Sequence, residues 1–423
     1  MGVGIVGRSA PATGSPNLVG GVPGARGRQG RTVSIIVPSR NRLPLLRLTL
    51  ARLRAQQGVS PQDFEVIVVD DGSSDGTASW LAGLRAPFAF HSVIHRQAQG
   101  RARARNAGLA LATGDVVAFL DGDTLPAPAF VATHARLHAA AVGPVCVTGY
   151  PWFWQYVFTW RFAGFSPDQR AALGARLGAD PTLAARLRRG ERGDLAVPLV
   201  TEEEAADWSV LRRQLRAPWP EDGPAVVADR DAAPYLWCVT RALSVARATA
   251  EGLGGFDPDF RGYGLEDWEF GYRLYRQGVP ILGTSAGSCL HQEHPLTDRS
   301  PGDLAAHYTL MLRRHPDAEV ALMALIPPWS DRARFARACR AYHHLRARSA
   351  LLGAMLRDLA LAHAHAWARA GGRPVAVSGD PAAAQRWRGR SVRGQDEILL
   401  VVGDPHARLG VAILRRLSGG ALP

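Results

Sequence analysis

Residues 101–123 read RARARNAGLALATGDVVAFLDGD, and the punctuation of this stretch decides the fold class. Residues 101–112 carry Ala and Leu at helical spacing and end at Gly114. Residues 116–120 (VVAFL) are a continuous apolar run of strand length, as expected of a strand covered on both faces. That run leads directly into Asp121-Gly122-Asp123. Upstream, residues 32–37 (TVSIIV) form a β-branched strand bounded by Pro38. A helix follows, with Asn41 as its N-cap, Pro44 in its first turn and leucines continuing to Leu53. Residues 64–69 (FEVIVV) form a further strand ending in Asp70-Asp71-Gly72, after which Ser74 or Asp75 caps a helix reaching Leu84. A weaker strand covers 92–94. Strands alternating with helices predict an α/β fold, a parallel sheet with helices on both faces. Ligands bind such sheets at the carboxyl ends of the strands, so Pro38-Ser39-Arg40, Asp70-Asp71 and Asp121 to Asp123 share one rim.

The bulk composition narrows the class. The 423 residues are 47% hydrophobic and 21% charged, as in an ordinary globular protein. No window supplies the roughly 18 uninterrupted apolar residues of a membrane helix. Residues 1–31, rich in Gly, Pro and Arg, lack the apolar core of a signal peptide and are expected to be a disordered leader, which implies a cytoplasmic protein. Cys146, Cys238, Cys289 and Cys339 form no C-x-x-C pair and read as buried free thiols. The net charge of +13 comes entirely from arginine, without a single lysine, which fits a GC-rich coding sequence better than a nucleic-acid surface. A basic surface still attracts anionic partners.

Each polar cluster has a chemical reading and a plainer one. Two carboxylates flanking a glycine at Asp121-Gly122-Asp123 suit Mn²⁺ or Mg²⁺ bridging to a diphosphate; the alternative is a solvated turn. Asp70 offers a carboxylate to a nucleobase or ribose, while Asp71-Gly72 turns the chain. In residues 100–108 (GRARARNAG), Arg105 and Asn106 open a helix where phosphate or ribose oxygens bind; Arg101 and Arg103 read as a solvated face. Residues 262–278 (GYGLEDWEFGYRLYRQG) put Glu266, Asp267 and Glu269 into a first helical turn. Dipole compensation explains one or two of them, and a general base beside an aromatic wall explains Glu-Asp-Trp better. In residues 289–295 (CLHQEHP), His291 is the candidate nitrogen ligand for the aspartates, with His294 as its competitor. The aromatic run 151–160 (PWFWQYVFTW) reads as core rather than as a ligand platform.

In order, VSIIVPSRNR, VIVVDDGSSDGT and ARNAGLALATGDVVAFLDGD resemble the nucleotide-binding half of the inverting family-two glycosyltransferases with the GT-A fold. LGGFDPDFRGYGLEDWEFGYRLYRQG followed by LHQEH resembles the C-terminal half of bacterial chondroitin polymerases and galactosyltransferase-type enzymes. The resemblance covers residues 32–137 and 235–294. It implies a Rossmann-like GT-A domain over 32–330, made of a nucleotide-sugar-binding half (32–145), a variable insert (146–231) and an acceptor and catalytic half (232–330). A mainly helical, Arg/Ala-rich extension, 331–423, follows. It also implies that Pro38 and Arg40 lie beside the base and ribose, with Asp70 on the uracil or ribose. Asp121, Gly122 and Asp123 would hold the donor, with Asp121, Asp123 and His291 at the metal. Asp267 would be the base, Glu266 would assist the acceptor, and Trp268 would wall the sugar pocket. The implied reaction is inverting transfer from a nucleotide-sugar, a UDP-sugar by resemblance, to a glycan, lipid-linked or small-molecule acceptor, as in polysaccharide biosynthesis. A nucleotidyltransferase and a non-catalytic sugar-nucleotide-binding module are the alternatives. Residues 351–368 form an amphipathic helix that either packs on the protein or lies on the inner face of a membrane.

Overall fold

A computed structural model of the chain describes residues 3–5, 33–190, 196–217, 225–295, 300, 302–373 and 405–417. They divide into two compact units. The first comprises Met1–Val227, Trp237–Gly262 and Glu266–Arg299; the second comprises Ala228–Leu236, Tyr263–Leu265 and Ser300–Pro423.

The first unit is built on a mixed sheet of nine described strands. At one edge, β1 (Val3–Ile5) runs antiparallel to its neighbour. Disorder was the expectation for 1–31; these three residues instead cover the outer hydrogen-bonding edge of a strand that would otherwise stay open. The rest of that stretch lies outside the described residues. Then come β2 (Val33–Ser39), α1 (Leu43–Arg54), β3 (Phe64–Asp70), α2 (Thr77–Ala82), β4 (Ala89–His95), α3 (Arg101–Leu109) and β5 (Val116–Phe119). β4, β3, β2 and β5 lie side by side and parallel, as the alternation of runs predicted. Their register sets Ser39 opposite Asp70, and Ile36 opposite Phe119 just before Asp121. Val66, Val68, Ile35, Val37 and Ala118 are fully buried between the helical layers.

The caps differ from expectation. Asn41 sits at φ 50°, a left-handed conformation that Asn tolerates, and its side chain accepts from the Ser74 amide at 2.7 Å. Arg42 occupies the cap position of α1 but its side chain makes no capping bond. The Leu43 amide is instead satisfied by Asp75, at 2.9 Å, from the next strand-end loop. Gly76, at φ 88°, caps α2, while Asp75 accepts from the Thr77 amide at 3.2 Å. The two rim loops are therefore tied together by each other's polar side chains.

After β5 come β6 (Thr124–Pro126), α4 (Phe130–Ala140) and β7 (Cys146–Thr148). The insert supplies β8 (Gln155–Val157), β9 (Trp160–Phe162), α5 (Pro167–Ala179), α6 (Pro181–Gly190), β10 (Ala196–Pro198), α7 (Glu202–Ala206) and α8 (Trp208–Arg213). Its aromatic run is largely core, with Phe153, Val157 and Phe158 fully buried. The chain then forms β11 (Val226–Val227), β12 (Leu243–Ala246), α9 (Arg247–Gly252), α10 (Glu266–Arg276), β13 (Ile281–Gly283) and β14 (Cys289–Gln292). β12 pairs antiparallel with both β5 and β7, and β13 and β11 extend the sheet beyond β7. A second, three-stranded sheet has the order β6, β14, β8. It rests on a core made jointly by Leu48 of α1, Leu125, Val157 and Leu290 of its own strands, and Val200, Ala205 and Leu211 of the insert.

The second unit is helical: α11 (Asp303–Arg314), α12 (Ala318–Leu325), α13 (Arg332–Arg348), α14 (Ala350–Arg369) and α15 (Pro405–Leu417). Ser349 ends α13 and caps α14, accepting from the Leu352 amide. Leu352, Met355, Leu356 and Leu359 of α14 are buried within this unit against α12, α13 and α15, so the apolar face is packed on protein rather than offered to lipid. No described helix is long and apolar enough to cross a membrane. Residues 398–402 (ILLVV), an apolar run that reads as a strand, lie outside the described residues. All four cysteines are buried and free, with the sulfurs of Cys146 and Cys238 at 3.8 Å.

α3 crosses β2 so closely that a Cβ on Gly108 would run into Ile36. Gly108→Val should lower stability by about 1–3 kcal/mol through overpacking. Gly174→Ala, on α5 with open space around it, should be neutral or stabilising. Paired denaturant melts measure both, and equal stabilities would refute the close crossing.

Candidate active site and metal centre

Sheet register builds the cation centre. β14 lies antiparallel to β6 with His291 opposite Thr124, so His291 stands next to Asp123. The Gln292 amide donates to the Asp123 carbonyl at 2.9 Å, and the Gln292 side chain bonds the Leu45 carbonyl and Thr159 hydroxyl, pinning α1, β14 and the insert. Asp123 Oδ1 is 3.6 Å from His291 Nε2, and Asp123 Oδ2 is 3.1 Å from His294 Nε2. One ligand atom from each of Asp123, His291 and His294 lies within 4.8 Å of the others. His294 Nδ1 is 2.8 Å from the Pro295 carbonyl and 2.9 Å from the Arg42 guanidinium. Nδ1 thus faces the Arg42 guanidinium and the Pro295 carbonyl, while Nε2 faces Asp123. Burial and the Arg241 charge hold His291 well below its usual pKa, so it is neutral. Burial alone would raise Asp123, but His291, His294 and Arg42 hold it far below the usual carboxylate range.

The residues fit a divalent cation. Among the described residues Asp123 Oδ1 and His291 Nδ1 are buried without a hydrogen-bond partner, and one carboxylate with two imidazoles is a donor set for Mn²⁺ or a similar ion. Asp121, expected as a ligand, is not in this group. Its Oδ1 is 3.0 Å from Arg105 NH2.

Arg105 also holds Glu266, at 3.0 Å through NH1. It is 2% exposed, with its guanidinium over the Phe256 ring. Burial would raise Glu266, yet Arg105 and Arg101 pull it below the usual value. Next to it, burial and the Glu266 charge push Asp267 up to about 7 despite Arg105 and the bond from the Trp268 amide. Glu269, the third carboxylate of this turn, is spent on Arg273 at 2.8 Å.

Residues 34–188 match the family described as Glycosyl transferase family 2, and residues 233–295 match the N-terminal domain of galactosyltransferase. The chain carries a glycosyltransferase family 2 domain. It is 31% identical over 296 residues to a validoxylamine A glucosyltransferase of Streptomyces hygroscopicus subsp. limoneus, covering 67% of this chain and 57% of that protein. It is 28% identical over 307 residues to the uncharacterized glycosyltransferase YfnE of Bacillus subtilis, covering 70% and 74% respectively. A chondroitin synthase of Escherichia coli is 26% identical over 280 residues, covering 64% of this chain and 36% of that one. The chain thus spans less than two thirds of the first and third of these relatives.

Within this family 2 domain, the rim residues divide by role. Asp70 is fully buried; Oδ1 accepts from the Ser73 amide at 2.9 Å and Oδ2 has no partner, while burial raises its pKa. Asp71 instead ties the β4–α3 loop through His95, Gln99 and Gly100. Pro38 is half-buried and Arg40 exposed at the end of β2. Gly122 is close-packed: a Cβ there would meet the Pro38 carbonyl at 3.0 Å.

Three expectations are corrected. Asn106 does not face a ligand; its amide bonds both the carbonyl and the amide of Phe256, at 2.7 and 2.8 Å. Arg105 neutralises two carboxylates rather than standing ready for phosphate. Trp268, expected to wall the sugar pocket, is buried. The ring that flanks His291 is that of Tyr156, 5.3 Å away, while Trp154 lies against the Arg241 guanidinium. His294, named only as a competitor, joins His291 instead of displacing it. Arg241 carried no sequence signal.

His291→Ala and His294→Ala should each weaken Mn²⁺ binding at least about 10-fold, whereas Asp121→Asn should weaken it less. Mn²⁺ titration followed by electron paramagnetic resonance reads these affinities. A larger loss in Asp121→Asn than in either histidine variant would refute the assignment.

Proposed function

We propose that the protein transfers a sugar from a nucleotide-sugar, a UDP-sugar by family resemblance, to an acceptor hydroxyl with inversion at the anomeric carbon. The observation that carries this is the Asp123–His291–His294 group at a strand-end rim, joined through Asp121 and Arg105 to the Glu266–Asp267 pair. Asp70, with a carboxylate oxygen buried and unpartnered at the same rim, accepts from the ribose or base. Asp123, His291 and His294 would hold Mn²⁺ or Mg²⁺, which when bound offsets negative charge on the nucleoside diphosphate.

Asp267 is the general base. A carboxyl at about 7 is half ionised near neutrality and takes a proton more readily than an ordinary aspartate would. As the acceptor oxygen bonds the anomeric carbon from the far side, the bond to the diphosphate breaks with its electron pair, and the acceptor proton passes to Asp267. Glu266, held by Arg105, keeps that base high by charge repulsion and fixes the helix turn that presents it. The acceptor is a glycan, lipid-linked or small-molecule hydroxyl.

Purified protein with Mn²⁺ and a panel of UDP-, GDP- and dTDP-sugars should release a nucleoside diphosphate from one donor. Asp123→Ala and Asp267→Asn should each lower the rate about 10²–10⁴-fold. Release of pyrophosphate would point to nucleotidyl transfer, and absence of both release and donor binding would refute the proposal.

The pH profile provides a separate check. The base works ionised and its pKa is raised to about 7, so kcat/KM should rise with pH and level off above it. At pH 6 the rate should be about one tenth of the plateau. Glu266→Gln removes a repelling charge, so the acid limb should move to lower pH. A limb that stays put, or moves up, would exclude Glu266 as the neighbour that sets Asp267.

A further inference from the structure

Arg241 stands two residues before β12, whose Leu243 pairs with Phe119 of β5. Continuing that antiparallel register places Arg241 opposite Asp121, where the chain leaves the sheet at the rim. Its guanidinium carbon lies 5.2 Å from the Trp154 ring, 5.6 Å from Tyr156 and 5.9 Å from Phe153. NH1 donates to the Phe153 carbonyl at 3.2 Å, and Nε is buried with no hydrogen-bond partner. No carboxylate stands within ion-pair distance of it among the described residues, whereas the neighbouring Arg105 has two. The aromatic rings hold the side chain by cation–π contact but contribute no counter-charge. An enclosed guanidinium without a counter-ion is costly, and the cost is met when an anion arrives.

The surroundings identify the anion. Tyr156, under Arg241, is also edge-on to His291 at 5.3 Å. An oxyanion brought to the Asp123–His291–His294 centre therefore meets Arg241 beside it. We propose that Arg241 binds the diphosphate of the donor and stabilises the negative charge that grows on it as the glycosidic bond breaks. This rests on the glycosyl-transfer reading above. The planar fork of arginine offers paired donors to phosphate oxygens, and cation–π packing pre-orders that fork. In the step itself, the carbon–oxygen bond to the diphosphate gives its electron pair to that oxygen. The acceptor oxygen bonds the anomeric carbon, and its proton goes to Asp267. Arg241 exchanges no proton.

Calorimetry on the full chain with Mn²⁺ tests this, using UDP, GDP and dTDP and the matching monophosphates. Arg241→Met keeps the apolar stem against Trp154 and Tyr156 and removes only the charge. Arg241→Gln is the second variant, and thermal melts confirm that each is folded. The variants should bind the preferred diphosphate about 10- to 100-fold more weakly, with monophosphate affinity nearly unchanged. Unchanged diphosphate affinity would overturn the proposal, and so would equal losses for mono- and diphosphate. Were the wild-type protein to bind no nucleoside diphosphate at all, the glycosyl-transfer reading would fail first. Normal wild-type binding with insensitive variants would remove Arg241 alone.

Discussion

The Arg105 guanidinium has almost no contact with solvent, and its two bonds reach carboxylates from distant parts of the chain. Asp121 ends the parallel half of the sheet, and Glu266 opens α10, 161 residues from Arg105 in sequence. A buried cation that loses one such partner is destabilised by about 3–5 kcal/mol, so neither carboxylate is free to wander. The arginine thus couples the segment resembling family 2 to the galactosyltransferase-like one, and the spacing between the metal side and the base side follows from it. It also sorts the three carboxylates of the α10 first turn. Glu269 is neutralised within its own helix by Arg273 and Glu266 by Arg105, and Asp267 is left to bear the burial and the repulsion. Dipole compensation and the proposed general base can coexist in one turn because different residues carry them.

The parallel strands and their shared rim were legible because a strand covered on both faces must be apolar at every position, a pattern that needs no tertiary knowledge. Roles that depend on a partner far away in sequence were not. Asn41 has the chemistry of a cap, but the amide that needed capping was nearer Asp75 on another loop. Asn106 sits at a helix start beside Arg105, and only the fold reveals that Phe256 takes both ends of its amide. For His291 and His294, a choice between two histidines was the wrong question. β14 aligns His291 with Asp123, and the turn after the strand brings His294 to the other oxygen. Arg241 was one arginine among fifty, and its setting is made by residues 85 or more positions upstream.

The insert, which matched nothing in the sequence reading beyond its aromatic content, forms part of the metal centre's foundation. β8 pairs directly with β14, Tyr156 lies against His291, and Val200, Ala205 and Leu211 fill the core beneath the small sheet. Arg52, buried on α1, reaches from the Pro126 carbonyl at 3.2 Å to that of Ala206 at 2.5 Å, joining the strand after Asp123 to the insert. The support for the histidines therefore comes as much from the segment after β7 as from the parallel strands.

The two arginines of the rim, Arg105 buried and Arg241 half-buried, explain each other. Asp121 is close enough to influence Arg241 electrostatically, and it is the carboxylate that the extended β12–β5 register sets against it. Its oxygen, however, is directed to Arg105 at 3.0 Å, where a second carboxylate completes the pairing. Were Asp121 to turn to Arg241, Arg105 would keep one carboxylate, Glu266 would feel less competition for that guanidinium, and the repulsion that raises Asp267 would change. The arrangement that keeps the base near neutrality is the same one that leaves Arg241 without a counter-ion. In this reading the anion site and the base are two consequences of a single carboxylate's choice of partner.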